Sequence, residues 1–315
     1  MTKRVVAIIA AVLVVAVTIC SFVKVDVEEK VVIRASMLNT FRELSSPAEW
    51  QKWHPAFASA CAGGGCGVIQ DNALKIFTLK ASGYSLRVKN EGASFIITDT
   101  VNGKSRTYCY NAIPSLQDDS TTILVVRPKT ILQAVFHLSA NGNENVAIDS
   151  LKSYIETPAK YYGFNIEVHP VIDTIVVTTK KTVPAKAKYA EIQDLYNKMN
   201  GFIAANHLTI TQPCIMHYYK MGNDSLKVEA GIPVNKTAQP RDGITFMKMP
   251  ANAHMLVGYY KGSFAGRTAL YAAMNKYVQD HFLRLVAATY EKYLNNRLPN
   301  NDSSQVEIAL HFPIY

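Results

Sequence analysis

Residues 215–234, IMHYYKMGNDSLKVEAGIPV, decide the reading of the C-terminal half. Ile215 to Lys220 and Ser225 to Val234 are rich in aliphatic and aromatic residues, and Met221-Gly222-Asn223-Asp224 between them supplies the Gly and Asn of a tight turn. The segment therefore reads as two antiparallel strands. Upstream, Ile172 to Thr182 is a Val- and Thr-rich strand. Ala185 to Asn206 is a helix with Ile192, Leu195, Tyr196, Met199, Phe202 and Ile203 on one face. Downstream the order recurs: a strand pair around Ile244 to Met249 and His254 to Tyr260, a helix from Arg267 to Leu285, and strands near Thr289 to Leu294 and Val306 to Pro313. Two strand-helix-strand-strand halves follow, a doubling expected to give one pseudo-symmetric sheet with a ligand cleft between the halves.

Towards the N-terminus, Leu74 to Arg127 reads as an antiparallel meander. Runs of Ile, Val, Thr and Tyr are broken by turn signals at Ser82-Gly83, Asn90-Glu91-Gly92, Asn102-Gly103 and Gln117-Asp118-Asp119. Before it, Val25 to Ile33 alternates as a strand with one buried face. Ser36 then N-caps a helix through Phe41 and Leu44, and Ser46-Pro47 with Glu49 opens a second through Trp50 and Trp53. Val146, Ile148, Leu151, Tyr154 and Ile155 recur at helical spacing, in a long helix that Pro158 bends or ends. The fold class is α+β.

Val5 to Val23 contains no charge and no proline, close to the roughly 20 residues a membrane-crossing helix needs. A cleaved signal peptide is the competing reading, but Ile19, Cys20, Ser21, Phe22 and Val23 offer no small-x-small cleavage site. An uncleaved anchor over 1–24 is expected. Lys3 and Arg4 before the segment, against the near-neutral to acidic flank of Lys24, Asp26, Glu28, Glu29 and Lys30 after it, put the body on the extracytoplasmic side.

The 315 residues are 49% hydrophobic and 18% charged, which excludes a disordered chain and leaves length for two domains after the anchor. The net charge of +9 is scattered, with no basic stripe, so no nucleic-acid partner is expected. Cys61 and Cys66 flank Ala-Gly-Gly-Gly and are placed to form a disulfide. No His or second Cys pair stands at zinc spacing, so neither a metal site nor a cofactor is expected. Gly63-Gly64-Gly65 lacks the Lys-Ser/Thr of a phosphate loop, and His54 has no partner at a suggestive spacing and reads as a loop histidine.

The N-terminal order of elements, with Trp50, Trp53 and Pro55 as a Trp-x-x-Trp-x-Pro motif, resembles the START-like (SRPBCC, polyketide cyclase-type) helix-grip family over residues 25–162. That resemblance implies an apolar cavity between sheet and final helix. Residues 165–315 resemble the GyrI-like effector-binding domain also found in AraC-type regulators. The matches are ordered: Tyr218-Tyr219, Glu229-Ala230-Gly231-Ile232-Pro233-Val234, Met249-Pro250-Ala251, Tyr260-Lys261-Gly262-Ser263-Phe264, Tyr290-Glu291-Lys292-Tyr293, and Val306-Glu307-Ile308 running to Pro313-Ile314.

In that family a glutamate at the position of Glu291 lies on the floor of an aromatic pocket facing cationic or polar ligands. Alternation alone makes Glu291 a solvated strand residue with Tyr290 and Lys292 on the other face; the resemblance moves it to the pocket. A carboxylate walled by rings neutralises a cation, with cation–π attraction adding about 0.5 to 2 kcal/mol. The candidate ligand-binding residues are Glu291, Tyr219, Phe246, Tyr260, Phe264 and Tyr293, with Tyr259 and Tyr271 as further wall candidates. Phe264 stands where the family's Gly-x-Tyr motif supplies a hydroxyl, which favours binding over catalysis. The expected function is a membrane-tethered protein that sequesters or senses a small hydrophobic or cationic ligand. The alternative is a hydrolase of electrophilic small molecules with Glu291 as general acid or base. No helix-turn-helix segment precedes residue 165, which weighs against a DNA-binding regulator.

Overall fold

The computed structural model describes residues 2–135, 143–171, 175–222, 224–249 and 253–315, the side chains of residues 2–4, 6, 7, 10 and 143–145 excepted. Asn223 of the expected turn, Pro250-Ala251, and the first three residues of the strand expected from Ile172 lie outside the described residues. The chain divides into two units, Met1–Thr157 and Pro158–Tyr315.

The first unit runs α1 (Thr2–Phe22), β1 (Lys24–Ile33), α2 (Met37–Ser45), α3 (Pro47–Trp53), α4 (Pro55–Ala62), β2 (Gly67–Asp71), β3 (Ile76–Ala81), β4 (Tyr84–Glu91), β5 (Ser94–Val101), β6 (Lys104–Pro114), β7 (Thr121–Thr130), α5 (Ile131–Val135) and α6 (Asn143–Ile155). Its sheet has the order β1-β7-β6-β5-β4-β3-β2, antiparallel throughout. β2 and α5 extend beyond the strands and helices expected from the sequence. One face of the sheet is buried by alternation: Phe77, Leu79, Leu86, Val88, Phe95, Ile97, Ile123 and Val125 point inward with Trp50, Phe57 and Leu151. Each such side chain contributes about 1.5–3 kcal/mol by leaving water. Ser36 caps α2, its hydroxyl accepting from the Asn39 N–H at 3.2 Å.

The expected membrane anchor is corrected here. Among the described residues no helix is long and apolar enough to cross a membrane. The expected single-pass localisation, the membrane contact through residues 5–23 and the assignment of a side to the body fall with it.

The second unit runs α7 (Pro158–Tyr161), β8 (Ile166–Pro170), β9 (Ile175–Pro184), a 3₁₀ turn at Ala185–Ala187, α8 (Lys188–Ala205), β10 (Ile215–Met221), β11 (Ser225–Val234), β12 (Ile244–Lys248), β13 (His254–Ser263), a 3₁₀ turn at Ala265–Arg267, α9 (Thr268–Asp280), β14 (Tyr290–Tyr293) and β15 (Gln305–Ile314). The eight-stranded sheet has the order β12-β9-β11-β10-β14-β15-β13-β8. It is two strand-helix-strand-strand halves joined where β10 meets β14, in the register Ile215↔Lys292 and Met216↔Glu291. The pair expected between 244–249 and 254–260 does not form. β12 pairs instead with β9, and β13 lies between β15 and β8.

α8 and α9 cover one face. Met199 and Phe202 sit over Val228, Ile232 and Tyr293, and Leu270 and Met274 over Leu256, Leu310 and Phe312. Gly258 permits the second contact: a Cβ there would lie 2.7 Å from Met274 Sδ and 2.8 Å from Leu270 Cδ1. α9 ends at Asp280 rather than at Leu285, because Phe282 takes a left-handed φ of 53° and the Leu283 N–H turns back to Val278 O.

Candidate functional site

β14 alternates, so Glu291 and Tyr293 face the helices while Tyr290 and Lys292 face the other way. Glu291 is 0% exposed, and an isolated carboxylate so buried would be costly. Here it accepts four bonds. Oε1 takes the Tyr218 hydroxyl at 3.0 Å, the Tyr271 hydroxyl at 2.9 Å and Arg267 Nε–H at 2.7 Å, while Oε2 takes the Tyr293 hydroxyl at 2.6 Å. The strand pairing brings two of these donors together: Met216 faces Glu291 across β10 and β14, so Tyr218, two residues on, shares its side.

Arg267 is supplied by the 3₁₀ turn before α9. Its guanidinium lies 3.4 Å from the centroid of the Phe264 ring and 5.0 Å from that of Tyr218, and Nη1 donates to Phe264 O. The turn that presents it is tight. Tyr260 donates its hydroxyl to Ser263 O at 2.8 Å, and a Cβ on Gly266 would stand 2.4 Å from that hydroxyl oxygen. The tyrosines remain donors, because burial and then the Glu291 charge push the phenols of Tyr271 and Tyr293 well up. The cluster is thus a carboxylate that holds a planar cation between itself and an aromatic face.

Of the residues singled out in the sequence, Glu291 and Tyr293 meet, Tyr271 joins them, and Phe264 touches the cluster through Arg267. Tyr219 is turned away, 38% exposed with Lys227 Nζ 5.4 Å from its ring, and Tyr259 is likewise on the opposite face. Phe246 packs on Phe202 with centroids 6.1 Å apart, and Tyr260 braces the turn rather than reaching the carboxylate. Two members escaped the sequence reading. Tyr218 stands in the quoted motif, and alternation with the β10–β14 register would have selected it; nothing local marks Arg267.

In the first unit, Cys61 and Cys66 are joined by a disulfide, with Cα atoms 4.8 Å apart. His54 lies in the link between two helices and is buried. It joins α3 to α4 at 1% exposure, Nδ1 accepts from the Ala56 N–H at 3.3 Å, and Nε2 is buried without a hydrogen-bond partner. Burial lowers its pKa to about 4. Among the described residues no group of three or more His, Cys, Asp or Glu side chains is placed to hold a metal ion.

The fold and the cluster define an α+β protein of two units, the second with a buried acid–tyrosine–arginine site. No protein family matches the chain, and no curated protein does. Among solved structures, the C-terminal domain of EcmrR is similar at 21% identity and a TM-score of 0.41, the match covering 48% of this chain and 98% of that one. An uncharacterized conserved protein from Listeria innocua is similar at 11% identity and a TM-score of 0.38, covering 48% and 92%. SAV2435, solved bound to tetraphenylphosphonium, is similar at 12% identity and a TM-score of 0.31, covering 48% and 94%.

Proposed function

We propose that the chain binds small molecules, and that its second unit takes an organic cation at Glu291 in exchange for Arg267. On this reading residues 165–315 are a GyrI-like effector-binding domain, and residues 25–162 are a START-like domain with its own apolar interior. The observation that carries the proposal is the guanidinium sandwiched between the Glu291 carboxylate and the Phe264 ring. The same carboxylate and ring faces suit an organic cation that displaces the guanidinium. Hydrolysis is the weaker reading. A general base needs a lone pair free for water, whereas the oxygens of Glu291 accept from four donors.

Tetraphenylphosphonium, the ligand of SAV2435, is the probe. Calorimetric titration of the full chain is expected to give weak binding, tightened about tenfold or more in Arg267→Met and lost in the Arg267→Met/Glu291→Gln double variant. No binding by Arg267→Met, or equal binding by the double variant, overturns the role of Glu291.

A further inference from the structure

Glu291 and Lys292 are adjacent, opposite in charge, and sent by β14 to opposite faces of the sheet. The face away from the helices is not flat. Two adjoining hollows of about 350 and 440 Å³ open on it, and both are walled by Ile215, Met249, Met255 and Tyr290. Each is within the size range of small-molecule sites.

The smaller hollow carries two polar groups with needs that its walls do not meet. Lys292 is partly buried, and burial lowers its ammonium pKa; Nζ donates to the neutral Gln212 Oε1 at 2.7 Å. Among the described residues no Asp or Glu lines this hollow. Across the strands, His311 stacks on Tyr290 with centroids 4.7 Å apart and planes 7° from parallel. Both of its ring nitrogens are buried without a hydrogen-bond partner among the described residues. Burial first, then the charges of Lys292 and His169, pull its pKa down to about 3, so the ring is neutral. It offers one N–H and one lone pair. His169 at the rim faces its own acid, Glu167, at 3.0 Å. Among the described residues the ammonium faces no counter-charge and the imidazole no hydrogen-bond partner; beside methionine and tyrosine walls, the two are complementary to an anion on an apolar ring.

We propose that this hollow is a second ligand site, separate from Glu291, that takes a small aromatic carboxylate. The carboxylate pairs with Lys292 Nζ, the ring lies against Met255 and Tyr290, and His311 bonds a polar atom of the ligand. Unlike the proposed site at Glu291, it selects for negative charge, and it stands or falls independently of that reading.

The test is fluorescence titration of the full chain with naphthoate and with its neutral analogue naphthamide. Naphthoate is expected to bind, with naphthamide about tenfold weaker or worse. Lys292→Met should lose about tenfold or more in naphthoate affinity, and Lys292→Arg, which keeps the charge, should stay within about threefold of the native chain. Tetraphenylphosphonium should leave the naphthoate affinity of the native chain unchanged. Absence of naphthoate binding by the native chain, equal binding of acid and amide, or native affinity in Lys292→Met overturns the proposal. Displacement of naphthoate by tetraphenylphosphonium overturns the separateness of the site. Circular dichroism melts of each variant distinguish lost binding from lost folding, and the comparison of naphthoate with naphthamide carries the charge test if Lys292→Met does not fold.

Discussion

Arg267 Nε stands 2.7 Å from Glu291 Oε1 with almost no solvent at either end, the side chains being 8% and 0% exposed. Both charges have left water, a penalty of several kcal/mol per ion that their attraction offsets only when the remaining hydrogen-bonding capacity is filled. Three tyrosine hydroxyls and Phe264 O fill much of it. The planar guanidinium also lies over the Phe264 ring, a contact an ammonium does not reproduce.

Removing one partner should therefore cost far more than removing both. Glu291→Gln and Arg267→Met are each expected to lower the unfolding free energy by about 3–5 kcal/mol, and the double variant by less than the sum of the two. Urea unfolding of the four proteins measures this. Additive losses would show that the two charges do not act as a pair.

Tyr218 and Tyr219 are neighbours with opposite surroundings. Tyr218→Phe deletes a donor to a buried carboxylate and should cost about 1.5–3 kcal/mol, while Tyr219→Phe should stay within about 0.5 kcal/mol of the native chain. Thermal melts of the two variants compare them directly. Equal losses would contradict the assignment of faces in β10.

Acid should destabilise the chain through two histidines. Burial holds His54 at about 4 and His311 at about 3, against the ordinary 6.5. Above 6.5 both are neutral in either state and contribute no pH dependence. Below it the unfolded chain takes up protons that the folded chain refuses, so stability falls as the pH drops from 6.5 towards those values. For His54 the loss by pH of about 4.5 should be on the order of 2 kcal/mol. Urea unfolding against pH for the native chain and His54→Phe tests it, the variant being expected to show a shallower fall. Superimposable pH profiles would remove His54 from the account.

Much of the architecture was legible locally. The period-2 runs and the turn residues gave the meander and the doubled strand-helix-strand-strand order, and Ser36 marked the start of α2. The expected pairing of 244–249 with 254–260 does not form, because β9 offers β12 a full register, Ile244↔Thr179 to Lys248↔Ile175, and nearness in sequence does not outweigh it. The length of the uncharged N-terminal run and its lack of a cleavage site predict a crossing, but among the described residues no helix is long and apolar enough to cross a membrane.

At the site, the sequence by itself determined which residues of β14 share a face, because side chains alternate along any strand: Glu291 with Tyr293, and Tyr290 with Lys292. It supplied the residue types of an acidic aromatic pocket through a family resemblance. Tertiary structure decided the rest. The register Met216↔Glu291 selects Tyr218 over Tyr219, and the 3₁₀ turn ahead of α9 delivers Arg267 to a carboxylate 24 residues away in the chain. Both depend on how the two halves pair and how tightly α9 lies on the sheet. Those are long-range packing energies, and no periodicity within one segment encodes them.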